Sequence, residues 1–385
     1  MKRWKILVLL LALVLCACGQ REPEPLPEEV PAPEETPLWS GLRWEEHLPL
    51  EYAQSFSVDF SPEGYARIAI HQETYLLVPE SCPLPGEIPE DVTVLRQPLQ
   101  NIYMQATAAM DSFCQLDALD AVTLSGTRTE GWYIPQAREA MEEGRLVYAG
   151  KYSAPDYELI LSRNCGLALE STMIYHNPEV KEQLERFGVP VLVERSSYES
   201  HPLGRMEWIK LYGVLMGKQA EAEAFFNEQL DRLTPVLEQE NTGKTVAFFY
   251  ITSNGAVSVR KGGDYIAKAI DLAGGVYVFQ DLAGEENALS TMNMQMEAFY
   301  QGAKDADILI YNSAIDADLT AIEQLVAKSA PLADFKAVQS GDVWCTGKSM
   351  FQEALGVGDM ILDMHAVLTE ENPAEESMSY LHRLT

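Results

Sequence analysis

The sequence predicts an α/β protein of two lobes, each built around a mostly parallel sheet, with a single long helix between them. Two observations lead to this prediction. Short strand-like runs alternate with helical segments in two separate series, and a long helical stretch lies between the series. Strand–helix–strand alternation is typical of βαβ units, whose strands are parallel. A chain of 385 residues also exceeds the usual size of one domain, which favours two lobes.

The N-terminus has the pattern of a secretory signal peptide. Lys2, Arg3 and Lys5 precede an uninterrupted apolar run over residues 6–15. Ten residues of helix span about 15 Å, roughly half of a hydrocarbon core, so the run is too short for a membrane-spanning helix. We therefore predict that residues 1–17 are a signal peptide.

The residues after this run resemble the lipobox of bacterial lipoproteins. They read Leu15-Cys16-Ala17-Cys18-Gly19, and the resemblance implies that Cys18 becomes the new N-terminus and carries the lipid. Cys16 departs mildly from the usual pattern, and an ordinary cleaved secretory signal is the alternative. With the lipobox interpretation the protein is extracytoplasmic and anchored to the cell membrane by the lipid on Cys18 alone.

Residues 18–38 form a tether rich in Pro and Glu. Proline fixes φ and removes a hydrogen-bond donor, and neighbouring glutamates repel one another, so this stretch is not expected to pack. At about 3.1 Å per residue it extends roughly 60 Å from the membrane.

The first α/β series occupies a predicted N-terminal lobe, residues 39–216. It opens with a β-hairpin over residues 66–70 and 75–78. The strands and helices expected after the hairpin are strands at 92–95, 121–124, 157–161 and 189–193 and helices at 102–113, 135–141 and 178–187. This order predicts βαβ units.

A connecting helix and a second lobe follow. The helical stretch over residues 203–239 is expected to break at Gly217 and Lys218, which leaves a helix at 219–239 that Pro235 bends or ends early. We predict a connecting segment at 217–241 and a C-terminal lobe at 242–385. In that lobe the expected strands are 245–251, 276–279, 308–311 and 343–345, and the expected helices are 265–273, 296–303 and 319–330.

Composition and motifs exclude several classes of function. The 58 acidic residues outnumber the 28 basic ones, for a formal net charge of −30, so phosphate-rich nucleic acids would be repelled. No nucleophile, zinc-hydrolase, phosphate-loop or dinucleotide-loop motif is present. We therefore expect a binding protein that has no cofactor and is not an enzyme.

Six segments, taken in order, resemble the substrate-binding lipoproteins of ABC importers for iron-siderophores, haem and vitamin B12. No single segment is specific for this family. The resemblance depends on their order along the chain and on the lipobox that precedes them. The segments are GKYSAPDYELIL from Gly150, NPEVKEQLERFGVPVLV from Asn177, YESHPLGRMEWIKLYGVLMGK from Tyr198, VSVRKGGDYIAKAIDLAGGVYVF from Val257, MEAFYQGAKDADILIYNS from Met296 and SGDVWCTGKSMFQ from Ser340.

The resemblance implies two Rossmann-like lobes with one ligand in the cleft between them. It also implies a monomer that delivers a small-molecule metal chelate or corrinoid to an ABC permease and its ATPase. The sequence does not separate siderophore, haem and corrinoid, and iron complexes are slightly favoured as the commonest ligands of the family.

Candidate ligand-binding residues follow from the rule that the cleft of open parallel sheets lies at the carboxyl ends of the strands. Aromatic, Arg and Met side chains there suit a large, flat, partly anionic ligand. The candidates are Tyr103, Met104, Arg128, Trp132, Tyr133, Tyr152, Tyr198, Asn254, Arg260, Met292, Met294, Trp344 and Lys348.

The resemblance further implies that one glutamate on each lobe docks on arginines of the permease. Glu179 and Glu297, each near the start of a predicted helix, match by motif, and Glu182 is a close alternative to Glu179. A carboxylate at a helix start is also stabilised by the helix dipole, so a purely structural role is equally natural.

Two other functions stay open at this point. Capture of a bare metal ion such as Zn or Mn needs several converging His and carboxylates, and the six His are scattered. A surface adhesin or sensor that reuses the fold is the other alternative. Cys82, Cys114, Cys165 and Cys345 lie in the lobes, and their spacing does not decide between disulfides and free thiols.

Overall fold

An N-terminal sheet of five strands comes first in the computed structural model, which describes residues 38–282, 290–316 and 318–385. The predicted signal peptide, Cys18 and the tether up to residue 37 lie outside these residues. The spatial order follows the sequence, and the pairs are antiparallel except for β4 with β5. The strands are β1 (Glu46–His47), β2 (Phe56–Phe60), β3 (Ala66–Ile70), β4 (Glu73–Val78) and β5 (Val92–Arg96).

The predicted hairpin is confirmed by the pairing of β3 with β4, in which Ala66 lies opposite Leu77. Burial alternates along β3, as expected for a strand with one face on a core. The prediction that residues 92–95 start the parallel sheet of the lobe is wrong, because β5 pairs with β4 and completes the N-terminal sheet.

The N-terminal lobe contains a five-stranded sheet in the order β12-β11-β6-β7-β8, with every pair parallel. Its strands are β6 (Ile102–Met104), β7 (Val122–Ser125), β8 (Val147–Tyr148), β11 (Ala168–Ser171) and β12 (Val191–Glu194), and a small hairpin of β9 (Gly150–Lys151) and β10 (Ala154–Pro155) follows β8. The helices of this lobe are α1 (Met110–Gln115), α2 (Pro135–Glu142), α3 (Tyr157–Ser162) and α4 (Pro178–Arg186).

Two element assignments in this lobe differ from the sequence prediction. The helix expected over 102–113 begins only at Met110, because its first three residues form β6 at the centre of the sheet. The strand expected over 157–161 is α3. The Asp156 side chain accepts a hydrogen bond from Leu159 N at 3.0 Å and caps this helix, and the parallel strand lies further on, at β11.

Three helices form the middle of the chain. They are α5 (Pro202–Glu207), α6 (Ile209–Met216) and α7 (Gln219–Leu237). Gly217 ends α6 with a φ of 68°, a left-handed conformation that glycine adopts without strain. Helix α7 starts where the sequence predicts and carries Pro235 in its last turn.

The C-terminal lobe has a mixed sheet of seven strands. Strands β13, β15, β17 and β18 are parallel, whereas β14, β16 and β19 run antiparallel to their neighbours. The strands are β13 (Thr245–Ile251), β14 (Val257–Arg260), β15 (Val276–Tyr277), β16 (Thr291–Met294), β17 (Ile308–Tyr311), β18 (Val343–Thr346) and β19 (Leu381–Arg383). The helices are α8 (Tyr265–Leu272), α9 (Met296–Ala303), α10 (Ile322–Lys328), α11 (Lys336–Ser340) and α12 (Val357–Thr369).

One hydrophobic core runs through both lobes. Leu169 of the first sheet, Phe226 and Leu233 of α7 and Ile310 of the second sheet belong to the same cluster of buried side chains. Among the described residues, no helix combines the length and the apolar character needed to cross a membrane. Cys82, Cys114, Cys165 and Cys345 are free thiols, and the last two are buried.

Candidate functional site

Loops that follow parallel strands of the two lobes are in direct contact. The loop after β18 reaches the loop after β7 through the amide of Gln352. Its oxygen accepts a hydrogen bond from Tyr133 N at 2.8 Å, and its nitrogen donates to Gly131 O at 2.7 Å. Because ligands of open α/β sheets bind at such edges, we call the space between these loops the candidate cleft.

Three predicted residues of the N-terminal lobe lie in these loops with accessible side chains. Arg128 is exposed, and its guanidinium carbon lies 4.0 Å from the ring centroid of Tyr148 at the end of β8. Tyr133 is 40% exposed. Tyr152 is half-buried in the turn between β9 and β10. Arginine, with its planar charge, and two aromatic rings are thus available on one side of the candidate cleft.

Four predicted residues are instead buried in the core, and their assignment to the ligand site needs correction. Tyr103 and Met104 belong to β6 and are fully buried. Trp132 is fully buried, and its indole nitrogen donates to Ser125 Oγ at 3.0 Å. Trp344 lies on β18 with 1% of its surface exposed. Large apolar rings contribute most to stability when they are buried, which is the role these side chains have here.

The predicted residues of the C-terminal lobe are less uniform. Asn254 is exposed in the turn after β13, and Met292 and Met294 are half-buried on the edge strand β16. Lys348 is held by its own lobe, because its Nζ donates to Ser313 O at 2.6 Å and to the carbonyl oxygen of Asp316. Because its ammonium group already makes these two hydrogen bonds, Lys348 positions the loop after β18 and is less available to contact a ligand.

Arg260 lies in a buried contact behind the cleft. Its side chain is 11% exposed and pairs with Asp264 at 3.5 Å. Its guanidinium carbon lies 5.3 Å from the ring of Phe351, in the loop after β18. In the neighbouring residue Tyr265, on α8, the ring centroid lies 4.6 Å from the guanidinium carbon of Arg205, on α5. Arg260 therefore contributes to the packing of α8 and the loop after β18.

Three exposed apolar residues at the carboxyl edges are absent from the sequence-based set. Met173 and Tyr175 follow β11 and are 45% and 44% exposed, and Ile315 follows β17 and is 54% exposed. Each of them is a large apolar side chain that the fold leaves accessible at the end of a parallel strand. The apolar run Leu167–Leu169, just before them, is the signal that would have identified the preceding strand.

A buried carboxyl group lies at the same edge. Glu170 of β11 is fully buried, and neither of its oxygens has a hydrogen-bond partner. Removal from water raises the pKa of Glu170 to about 8, because burial disfavours the charged form. The group is therefore mostly a neutral acid at neutral pH.

Tyr198 is accessible but faces a different neighbour. It is 45% exposed and lies 4.5 Å, measured to its ring centroid, from the guanidinium carbon of Arg195. Both residues line a pocket of about 400 Å³ shared with the N-terminal sheet. Tyr198 therefore lies beside the N-terminal sheet, in the segment that follows β12, the edge strand of the parallel sheet.

The predicted docking glutamates are exposed in the first turns of α4 and α9. Glu179 accepts a hydrogen bond from Asn177 Nδ2 at 3.2 Å. Glu182, the alternative, is paired with Arg186 at 2.9 Å. The carboxylate of Glu179 is therefore less engaged by other charges than that of Glu182.

For a bare metal ion, the side chains of the described residues offer little. Within residues 38–282, 290–316 and 318–385, no group of three or more His, Cys, Asp or Glu side chains is arranged to hold one. His201 accepts a hydrogen bond from Leu203 N at 3.2 Å and caps α5. His176 is exposed.

Part of the chain matches a known family. Residues 114–349 match the model of a family described as "Periplasmic binding protein". Two uncharacterized lipoproteins of Methanocaldococcus jannaschii are 26% and 25% identical to this chain, over 62% and 54% of its length. The chain spans only 56% and 53% of the length of these two relatives.

Solved structures share the fold at low identity. A periplasmic heme binding protein from Pseudomonas aeruginosa gives a TM-score of 0.57 at 17% identity, covering 75% of this chain and 98% of its own. A periplasmic vitamin B12 binding protein from Vibrio cholerae gives 0.51 at 17%, covering 71% and 99%. A protein described as an ABC-type Fe3+-hydroxamate transport system, from Saccharomonospora viridis, gives 0.52 at 19%, covering 71% and 93%.

Proposed function

Because the chain belongs to the periplasmic binding protein family, we propose that it is an extracytoplasmic solute-binding lipoprotein that captures an iron complex, haem or a corrinoid and delivers it to an ABC permease and its ATPase. The protein is a monomer. The lipid on Cys18 and the tether up to residue 38 hold it at the cell membrane. The solved structures that share its fold include proteins described as binding heme and vitamin B12, which supports this class of ligand.

The observation that carries the proposal is the set of accessible side chains at the candidate cleft. Arg128 beside Tyr148, together with Tyr133, offers a cation and aromatic rings after β7 and β8, and Met173 and Ile315 are exposed apolar side chains after β11 and β17. A flat chelate or macrocycle with acidic groups needs both, since its rings pack on apolar and aromatic side chains while its acidic groups pair with arginine.

The first experiment is a titration of the full-length chain, purified in detergent, with haem, cyanocobalamin and a panel of ferric siderophores. Binding is followed by ligand absorbance and by quenching of Trp fluorescence. We expect tight one-to-one binding of one compound. If folded protein binds none of them, the proposed ligand class is wrong.

Variants then locate the site. Arg128→Gln and Tyr133→Ala are each expected to weaken binding at least tenfold. Arg163→Gln and Phe187→Ala are matched controls: both residues are exposed, and both follow helices that run back toward the amino ends of the strands. Equal losses in the controls would place the ligand elsewhere.

A second experiment tests docking on the permease. Charge reversal of Glu179 and Glu297 together, as Glu179→Lys and Glu297→Lys, is expected to abolish uptake of the identified ligand by cells while its affinity for the purified protein stays unchanged. Glu182→Lys is the matched control and should transport normally. Weaker ligand binding by the purified double variant would contradict the docking role.

A further inference from the structure

A second pocket lies between the N-terminal sheet, which precedes the residues that the family model matches, and the segment after β12, which is among them. It has a volume of about 400 Å³ and is shared by the N-terminal sheet and the segment after β12. That volume is within the range of small-molecule sites, about 300–1,000 Å³. Residues that define it include Gln54, Ser55, Ser57, His71, Arg195 and Tyr198. All of these precede the C-terminal lobe, so the pocket forms without the candidate cleft.

Arg195 is the charged group of this pocket. The residue is only 9% exposed, and its guanidinium lies over the ring of Tyr198 at 4.5 Å. Within the described part of the chain, no carboxylate and no hydrogen-bond acceptor contacts the guanidinium. A buried cation without a counterion is costly, and a bound anion removes that cost.

The nearest acids in sequence are already engaged. Glu194 accepts a hydrogen bond from Ser196 N at 2.6 Å. Glu199 accepts from Ser55 N at 2.9 Å and from the indole nitrogen of Trp208 at 2.9 Å. The bond from Ser55 N to Glu199 joins the residue just before β2 to the segment after β12. Because Glu194 and Glu199 make these other hydrogen bonds, the guanidinium of Arg195 is available to a bound ligand.

The other polar groups of the pocket are suited to an anion. The lining contains the hydroxyl groups of Ser55 and Ser57, the amide of Gln54 and the imidazole of His71, and it contains no Asp or Glu. Hydroxyl, amide and imidazole N–H groups donate hydrogen bonds. The guanidinium presents a planar fork that matches a carboxylate or phosphate with two parallel hydrogen bonds.

We propose that this pocket is a second binding site, for a small molecule that carries a carboxylate or phosphate group. Arg195 binds the oxyanion, and the ring of Tyr198 holds the guanidinium in place. The lining residues from β2 and β3 precede the matched residues 114–349, so the site depends on the N-terminal sheet as well as on the segment after β12.

The test is isothermal titration calorimetry of the full-length chain in detergent, with inorganic phosphate and citrate as separate probes. We expect one-to-one binding of at least one probe, and the arm that binds more tightly identifies the preferred group. Arg195→Gln is expected to weaken that binding at least tenfold. Arg163→Gln, which removes an exposed arginine, is the matched control and should bind as the wild type does.

Two further variants keep the outcome decisive. Ala69→Leu narrows the pocket without changing charge and should also weaken binding. Arg195→Lys keeps the charge but loses the fork, so its affinity should lie between those of the wild type and Arg195→Gln. The proposal is overturned if neither anion binds to the wild type, or if the Arg195 and Ala69 variants bind as tightly as it does.

Binding of the compound that occupies the candidate cleft is measured in the same variants. This measurement distinguishes a failure of the second site from a failure of the proposed transport function. The variants of Arg195 and Ala69 are titrated with haem, cyanocobalamin and ferric siderophores as well. We expect unchanged affinity for whichever compound binds the wild type, which also shows that the variants are folded. Loss of both kinds of binding in Arg195→Gln would mean that the two ligands share one site.

Discussion

Glu170 is a residue whose buried surroundings make stability depend on pH near neutrality. Three titratable groups face it: Tyr103 on β6, Tyr157 on α3 and Cys165 just before β11. Burial raises the pKa of Tyr103 and of Tyr157, and raises the pKa of Cys165 to about 11. All three stay neutral between pH 4 and 8, so no neighbouring charge compensates Glu170 when it ionises.

We therefore predict that Glu170→Gln flattens part of the pH dependence of stability. The folded-state pKa of Glu170, about 8, lies above the unfolded-state value of about 4.3. As pH rises, the unfolded chain loses this proton first, so stability is highest below pH about 4 and falls as pH rises toward 8. Relative to the variant, the wild type should lose on the order of 4 kcal/mol between pH 5 and 8.

Urea unfolding at several pH values measures this difference. Glu158→Gln, an exposed neighbour on α3, is the matched control and should follow the wild type. If the free energies of unfolding of the wild type and of Glu170→Gln change equally from pH 5 to 8, Glu170 is solvated and the prediction is wrong.

Individual site residues could be predicted only in part from the sequence. The rule that ligands bind at the carboxyl ends of strands selected Arg128 and Tyr133, which the structure leaves accessible in the loop after β7. It failed for Tyr103 and Met104, because residues 102–104 are a short strand that merges into an apolar helical pattern. It also failed for Trp132 and Trp344, since an amphipathic ring after a strand or on it is equally suited to the core.

At the scale of elements, the segment between β1 and β2 is attached to the first lobe by two buried carboxylates, Glu199 and Glu207, of which Glu207 binds more backbone amides. Glu207 of α5 is fully buried and accepts hydrogen bonds from Tyr52 N at 2.9 Å, from Ala53 N at 2.8 Å and from Lys210 Nζ at 2.8 Å. Glu51 N donates to it at 3.0 Å. Three consecutive backbone amides therefore converge on one side chain, just before β2.

We predict that Glu207→Gln loosens this attachment. The amide of Gln places donors against backbone donors, so the variant should lose about 3 kcal/mol of stability. Hydrogen exchange should become faster over residues 51–55. Glu221→Gln, an exposed change on α7, is the matched control. Unchanged protection of residues 51–55 in Glu207→Gln would mean that other contacts hold the sheet.

Elements with strong periodicity were predictable, and ambiguous apolar runs were not. Strand β13, helix α9 and strand β17 begin and end at the predicted residues. The run Tyr157–Leu161 has strand-forming composition but is helical, because Asp156 caps it. Aspartate directly before an apolar run is a helix-start signal, so this error was avoidable. The order of strands in each sheet depends on tertiary packing, which a single sequence does not show.

At the scale of the whole molecule, the core joins lobes that the sequence shows as separate. Helix α7 packs against α6 on one side and α12 on the other, and Leu233 on α7 is 1% exposed within the continuous cluster. The position that a Cβ would take at Gly358 on α12 lies 3.4 Å from Leu233 Cδ1. The helices between the sheets therefore belong to both lobes.

We predict from this continuity that the two lobes unfold together. Leu233→Ala leaves a cavity at the shared core and should cost about 2–5 kcal/mol. Since the core is continuous, hydrogen exchange should become faster in β11 and β17 alike, and calorimetry should show one transition moved to lower temperature. Leu237→Ala, at the less buried end of α7, is the matched control and should cost less. Two resolved transitions, or faster exchange confined to one lobe, would mean that the shared core does not couple the lobes and that each folds as an independent unit.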